Sequence, residues 1–243
     1  MLFGGDDDDV IIRIENVSVA NGLIVLGPLS LRGRRSALFV TNVTATASLK
    51  EVVSPSWRWL PLELRNALPA EFLLAGPFVV INVTLAGGAT ASVRHLSLAR
   101  YGQAASAQYP GQVFCALCCF RLVVREDAQV WMDNLTLVNV AYTKTDRMYT
   151  LYLYDLQMSD QAVLLIRSAA IVADYMGIVV SAAAISRNSL LVMREVSVRA
   201  LDCAVALADT RVATSAHRIG NRQKTFVHTC SHLDATLASN SQS

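Results

Sequence analysis

One eight-residue pattern recurs along this chain and limits what it can fold into. Arg13–Ala20 reads RIENVSVA, Phe39–Thr46 FVTNVTAT, Val79–Ala86 VVINVTLA, Ser92–Ala99 SVRHLSLA, Trp131–Val138 WMDNLTLV and Val192–Arg199 VMREVSVR. A degraded copy, LLIRSAAIV, surrounds Ser168. With the central polar residue as origin, the origins are Asn16, Asn42, Asn82, His95, Asn134, Ser168 and Glu195. Apolar residues stand two and four positions before each origin and one and three positions after it, as in Val40 and Leu38, or Leu135 and Leu137.

Alternation with period two is the signature of a strand with one buried face. A change of parity at the origin means the strand bends or bulges there, so that both arms turn the same face inward. Asn suits such a bend because it tolerates a left-handed backbone better than most residues. His95 and Glu195 fit less well, and strain or a different turn is expected at both. Short apolar strands, Gly22–Leu26, Thr150–Leu153 and Gly177–Val180, precede some copies, and polar turns such as Arg32–Ser36 and Ser186–Ser189 follow two of them. The unit is strand, turn, strand, bend, strand.

The origins are unevenly spaced, which fits coils of about 20 to 35 residues with loop insertions. Asn82 and His95 are too close for two full coils, so one of them belongs to another strand of the same coil. No single coil buries its apolar edge, but stacked coils share a core. The expected fold is therefore all-β, a right-handed parallel β-helix over residues 10–210, its hand set by the bias of parallel crossovers. Insertions are expected near 54–77, which holds Trp57, Trp59 and a possible short helix at Leu62–Leu68, and near 101–111. Residues 217–243 read as a polar, disordered tail. A β-sandwich would show hairpin signals, and Asn21-Gly22 is the one example here.

Hydrophobic residues make up 53% of the chain, which excludes a mostly disordered protein. The net charge of +2 gives no case for nucleic acid or an anionic membrane surface. Met1–Asp9 lacks the basic start and apolar stretch of a signal peptide, so either the protein is cytosolic or Met1 is not the natural start. Ser168–Ser186 has the hydropathy of a membrane span, but Asp174 lies near its centre, and a buried strand pair is the better reading. No clear transmembrane segment results.

Cys115-x-x-Cys118 is half of a zinc or redox motif, and no second CxxC follows. His228, Cys230 and His232 form a small cluster near the C-terminus, and a zinc site would need both places to meet. Buried thiols are the simpler reading, and the odd count of five leaves at least one free or intermolecular. Asp6–Asp9 lacks the spacing of a calcium loop. No metal and no cofactor is expected.

Four origins are N-glycosylation acceptors: Asn16-Val-Ser, Asn42-Val-Thr, Asn82-Val-Thr and Asn134-Leu-Thr. They mark either an exported glycoprotein or a bend that requires Asn ahead of a Ser/Thr strand. The two readings conflict if the Asn side chains stack at an inner bend, where no glycan fits. Polysaccharide-cleaving β-helix enzymes need paired carboxylates, or calcium with a base. Asp133, Asp155, Asp174 and Glu195 show no common repeat offset, and pectinase-type signatures are absent. No catalytic residue is assigned, with a lyase or glycosidase as the alternative.

The strings RIENVSVA, FVTNVTAT and SLLVMREVSVRA, with links such as MGIVVSAAAIS, resemble the dispersed gene family protein 1 group of trypanosomes over roughly residues 10 to 210. The resemblance implies a surface glycoprotein with long β-helix-like arrays, contacting host matrix or cell-surface glycans or proteins and anchored by C-terminal membrane helices. This chain is a small fraction of a full member's length. The expectation is a non-enzymatic adhesion-type fragment of the cell surface or secretory pathway, with a purely structural truncated fragment as the further alternative.

Overall fold

The computed structural model describes residues 9–48, 74–101, 113–140, 148–186, 188–201, 203–208, 211–213 and 237–238. Strands are the regular structure among them: β1 (Ile11–Val19), β2 (Ile24–Leu26), β3 (Leu29–Arg32), β4 (Ala37–Ser48), β5 (Leu74–Ala75), β6 (Phe78–Ala86), β7 (Thr90–Tyr101), β8 (Val113–Val124) and β9 (Gln129–Val140). There follow β10 (Met148–Tyr154), β11 (Gln157–Met158), β12 (Val163–Ala173), β13 (Met176–Ser181), β14 (Ala184–Ile185), β15 (Leu190–Ala200), β16 (Cys203–Ala208), β17 (Arg211–Ala213) and β18 (Leu237–Ala238).

One sheet runs β1-β4-β7-β9-β12-β15, and the intervening strands build a second sheet. All pairings are parallel. The chain crosses the first sheet, then the second, and returns one strand further on. This arrangement is consistent with a parallel β-helix and excludes an antiparallel sandwich, whose hairpins would reverse neighbouring strands.

All seven origins are left-handed: φ is 58° at Asn16, 54° at Asn42, 50° at Asn82, 53° at His95, 54° at Asn134, 52° at Ser168 and 52° at Glu195. The left-handed residue shifts the alternation by one, so Met132 before Asn134 and Leu135 and Leu137 after it are all buried. His95 and Glu195 take the same bend as the asparagines rather than a different turn. The left-handed conformation costs about 1–2 kcal/mol. Each large side chain that the bend keeps buried returns about 1.5–3 kcal/mol, so packing overrides local preference.

Asn82 lies in β6 of the second sheet, while His95 lies in β7 of the first. The second sheet carries its own line of bends, with Arg121 at φ 53°, Asp155 at 54° and Ala182 at 52°. Register places Asn82 beside Arg121, because Ile81 pairs with Phe120 and Val83 with Leu122. A third line holds the turns Gly87-Gly88, Glu126-Asp127 and Asp160-Gln161, all at positive φ. Gly88 N–H donates to Glu126 C=O at 2.7 Å, and Asp127 N–H to Asp160 C=O at 2.8 Å.

The bend-to-bend repeat is 26 residues at β1/β4 and 27 at β12/β15. It lengthens to 39 at β7/β9 and 34 at β9/β12. The extra residues enter at one corner, where a first-sheet strand hands over to the second sheet. They fall within 49–73, 102–112 and 141–147, outside the described residues, as do Trp57, Trp59 and the expected helix at 62–68. The strand wall resumes at Leu74, before the expected insertion end at 77, and Tyr101 still belongs to β7. The expected tail at 217–243 lies outside the described residues except Leu237–Ala238, which pairs with β17. Ser168–Ser186 forms the end of β12, then β13 and β14. Among the described residues no helix is long and apolar enough to cross a membrane.

The main core lies between the sheets, with Val40, Leu85, Leu98, Leu137, Leu153, Ile166 and Val180 among its buried members. A second apolar cluster, Val79, Ile81, Cys118, Phe120, Tyr152 and Val179, uses the opposite side chains of the second sheet. The rings of Phe120 and Tyr152 meet edge to face, centroids 5.8 Å apart. Cys115 and Cys118 are joined by a disulfide within this cluster, and burial pushes the neighbouring Cys119 thiol up to about 12. The second sheet is therefore apolar on both faces. The first sheet presents its polar face to water.

Candidate functional site

The polar face of the first sheet is ordered into rows, because six parallel strands about 4.8 Å apart share one register. The bend row is Asn16, Asn42, His95, Asn134, Ser168 and Glu195. One position earlier, Glu15, Thr41, Arg94, Asp133, Arg167 and Arg194 align across the sheet. Two positions after the bend the row is Ser18, Thr44, Ser97, Thr136, Ala170 and Ser197, all exposed. Three positions before the bend, Trp131 stands 43% exposed, between Ser92 and Leu165. An exposed indole of that size on a sheet face offers a flat stacking surface beside a polar bend row.

Side chains of adjacent strands hold the bend row in pairs. Asn42 Nδ2 donates to Asn16 Oδ1 at 3.1 Å. Asn134 Nδ2 and His95 Nδ1 stand 2.7 Å apart. Ser168 Oγ donates to Glu195 Oε2 at 3.0 Å. In the preceding row Arg167 grips Asp133 with two bonds, Nε to Oδ1 at 3.1 Å and Nη2 to Oδ2 at 2.7 Å. The hydrogen bonds from Arg167 hold the Asp133 carboxyl below its ordinary range. Asp133 thus stays charged, the opposite of the protonated carboxyl that glycoside cleavage needs for its acid.

The sequence reading placed Asp133 and Glu195 without a common offset. Register brings them to one face in adjacent rows, two strands apart, with Arg167 and Ser168 between them. Asp155 lies on the second sheet, where it accepts from Arg121 Nε at 3.0 Å and from Gln157 Nε2 at 2.9 Å. Asp174 links β12 to β13. Arg94, Arg167 and Trp131 were missed as face residues, although their fixed offsets from the bend would have grouped them.

The four sequon asparagines divide. Asn16, Asn42 and Asn134 are exposed, while the Nδ2 atoms of Asn42 and Asn134, where a glycan would be attached, are engaged in the bend-row pairs. Asn82 is half-buried on the second sheet. Asp9 forms an ion pair with Arg35 at 3.3 Å, while Asp6–Asp8 and the His228/Cys230/His232 cluster lie outside the described residues. Among the described residues no group of three or more His, Cys, Asp and Glu side chains could hold a metal ion. Comparison with protein-family models, curated proteins and solved structures finds no match to this chain.

Proposed function

We propose that this chain is a segment of a right-handed parallel β-helix from a non-enzymatic, adhesion-type surface glycoprotein related to the trypanosome dispersed gene family, and that the polar face of its first sheet binds acidic glycans of host matrix or cell surfaces. The observation that carries the reading is Trp131, exposed on the polar face three positions ahead of the bend row of His95 and Asn134, with the row of Arg94 between them. An indole stacks on the apolar face of a sugar ring, while planar polar side chains take its hydroxyls and acid groups. Five arginines, Arg13, Arg94, Arg167, Arg194 and Arg199, share this exposed face with three carboxylates, Glu15, Asp133 and Glu195, which favours an anionic ligand. The right-handed sense follows the crossover rule for parallel strands.

Two further observations support a secretory route. Three sequon asparagines are exposed, and a disulfide joins Cys115 to Cys118, a bond that forms and persists in oxidising compartments. A glycan on Asn16 or Asn42 leaves the β9–β15 half of the face open. One on Asn134, three residues from Trp131, would screen it.

The test is binding to an array of sulfated, carboxylated and neutral glycans. The expected result is binding to acidic glycans that falls with added salt and drops at least about tenfold in Trp131→Ala, the scale of losing an aromatic hot spot. Trp131 is 43% exposed, so part of its ring is covered and its removal should lower the unfolding midpoint by a few degrees while the circular dichroism of the folded protein is retained. Equal binding by both proteins would contradict the Trp131 face, and binding by neither would leave the segment a structural repeat.

A further inference from the structure

Arg100 is the most deeply buried cation of the described residues, 1% exposed, and it points into the core. Its position follows from the bend at His95: Leu96 and Leu98 turn inward, and two residues later so does Arg100. It therefore occupies an inward row at the end of the first sheet, flanked by Ala47 on β4 and Asn139 on β9. Nη1 donates to Asn139 Oδ1 at 2.8 Å, and the guanidinium lies over the Phe114 ring, 4.4 Å from its centroid. Asn139 is already committed, with Nδ2 donating to Tyr149 C=O at 2.8 Å and to Phe114 C=O at 3.2 Å. Nη2 is buried and has no hydrogen-bond partner among the described residues. Ala47, its neighbour on the other side, has no side-chain acceptor to offer.

A buried charge without a counter-charge costs several kcal/mol, and proteins rarely leave one so. Loss of water pulls the Arg100 guanidinium down to about 9, and no carboxylate among the described residues acts to restore it. Even so, it stays cationic at neutral pH. The Phe114 ring offsets part of the cost, on the order of 2 kcal/mol for a desolvated cation–π contact. It gives Nη2 no acceptor.

We propose that the inner corner beside Arg100 Nη2 is a binding site for one small monovalent anion taken from solution, a halide or a simple carboxylate such as acetate. Charge balance sets the valence: one anion neutralises one guanidinium, whereas a divalent anion would leave a net buried charge. Donor geometry sets the size, since the orphaned nitrogen presents its hydrogens from one side only. Such a site ties the first sheet to the start of the second through Asn139 and Phe114, at the corner where the longer repeats take up their extra residues.

The test follows the unfolding midpoint of the full chain as sodium bromide or sodium acetate replaces sodium gluconate at constant ionic strength. The wild type should gain stability saturably, by about 5–10 °C at an anion concentration roughly a hundred times Kd. Arg100→Met should show no saturable gain. A flat wild-type response, or the same response in Arg100→Met, overturns the proposal. Should Arg100→Met fail to fold, bromide-soaked crystals of the wild type decide. An anomalous peak within hydrogen-bond reach of Arg100 Nη2 is the expected result, and its absence overturns the site.

Discussion

Gly27→Ala is expected to lower the stability of this chain by about 3–5 kcal/mol in urea titration, enough to unfold many domains of marginal stability. Gly27 stands at φ +121°, opposite Ile81 of β6, and an added Cβ would lie 1.8 Å from the Ile81 carbonyl oxygen. That atom is main chain in the central ladder of the second sheet, so no side-chain rotation relieves the clash. Gly33 provides the control. Its φ is +88°, but nothing lies within 4 Å of an added Cβ. Gly33→Ala should therefore cost only the conformational part, about 1–2 kcal/mol. Equal losses in the two variants would contradict the close approach of β2–β3 to β6.

Deleting Ser168 is expected to abolish cooperative unfolding, while Ser168→Gly leaves it intact. Ser168 is the left-handed residue of β12, with Ile166 buried before it and Ala169, Ile171 and Ala173 buried after it. Without it the two arms fall into simple alternation. Simple alternation would keep Ile166, Ala169, Ile171 and Ala173 on one face of an unbent strand, but β9 and β15 keep their bends at Asn134 and Glu195. Held to that bend, the shifted arm turns Ala169, Ile171 and Ala173 to water and Val172 inward. The slip also breaks register with β9 and β15, which pair with β12 along its whole length. The combined loss is about 5 kcal/mol or more, the scale of a whole domain's stability. Glycine keeps the residue count and adopts positive φ freely. Thermal unfolding followed by circular dichroism separates the two variants.

The bends were legible because they break a simple rule in a repeated way. Period-two alternation that changes parity at seven polar residues has one economical explanation, and all seven are left-handed. Of the second line of bends only Asn82 was legible. Arg121, Asp155 and Ala182 occupy its other positions, and Arg, Asp and Ala share no chemical signature. The Asn82/His95 spacing correctly placed the two on different strands of one coil, because 13 residues cannot traverse two sheets. The sequence leaves the direction of the bend asparagines open. A bend that keeps both arms inward must point its own side chain away from the core, and Asn16, Asn42 and Asn134 are exposed.

The face residues were partly legible. Their offsets from the bends are fixed in the sequence, but their side-by-side placement depends on how many residues each repeat inserts. Arg167 reaches Asp133 across 34 residues and His95 meets Asn134 across 39. Only the sheet register converts those unequal separations into adjacency. Arg100 was hidden for the same reason. Its inward direction follows from the parity shift at His95, but the partner it reaches, Asn139, stands one strand and 39 residues away.

The measurement that tests the stacked, in-register repeat most directly is cysteine cross-linking between neighbouring strands. Ser97 of β7 and Thr136 of β9 are exposed and register partners. Adjacent parallel residues stand within the Cα separation a disulfide spans. Under mild oxidation the double variant Ser97→Cys/Thr136→Cys should form the bond, read by mass spectrometry of the linked peptides. The offset double variant Ser97→Cys/Val138→Cys should form little, because Val138 lies two residues further along β9. Cross-linking of the offset pair in preference to Ser97 and Thr136, or of neither pair, would contradict the register on which the face, its ligand and the Arg100 corner all depend.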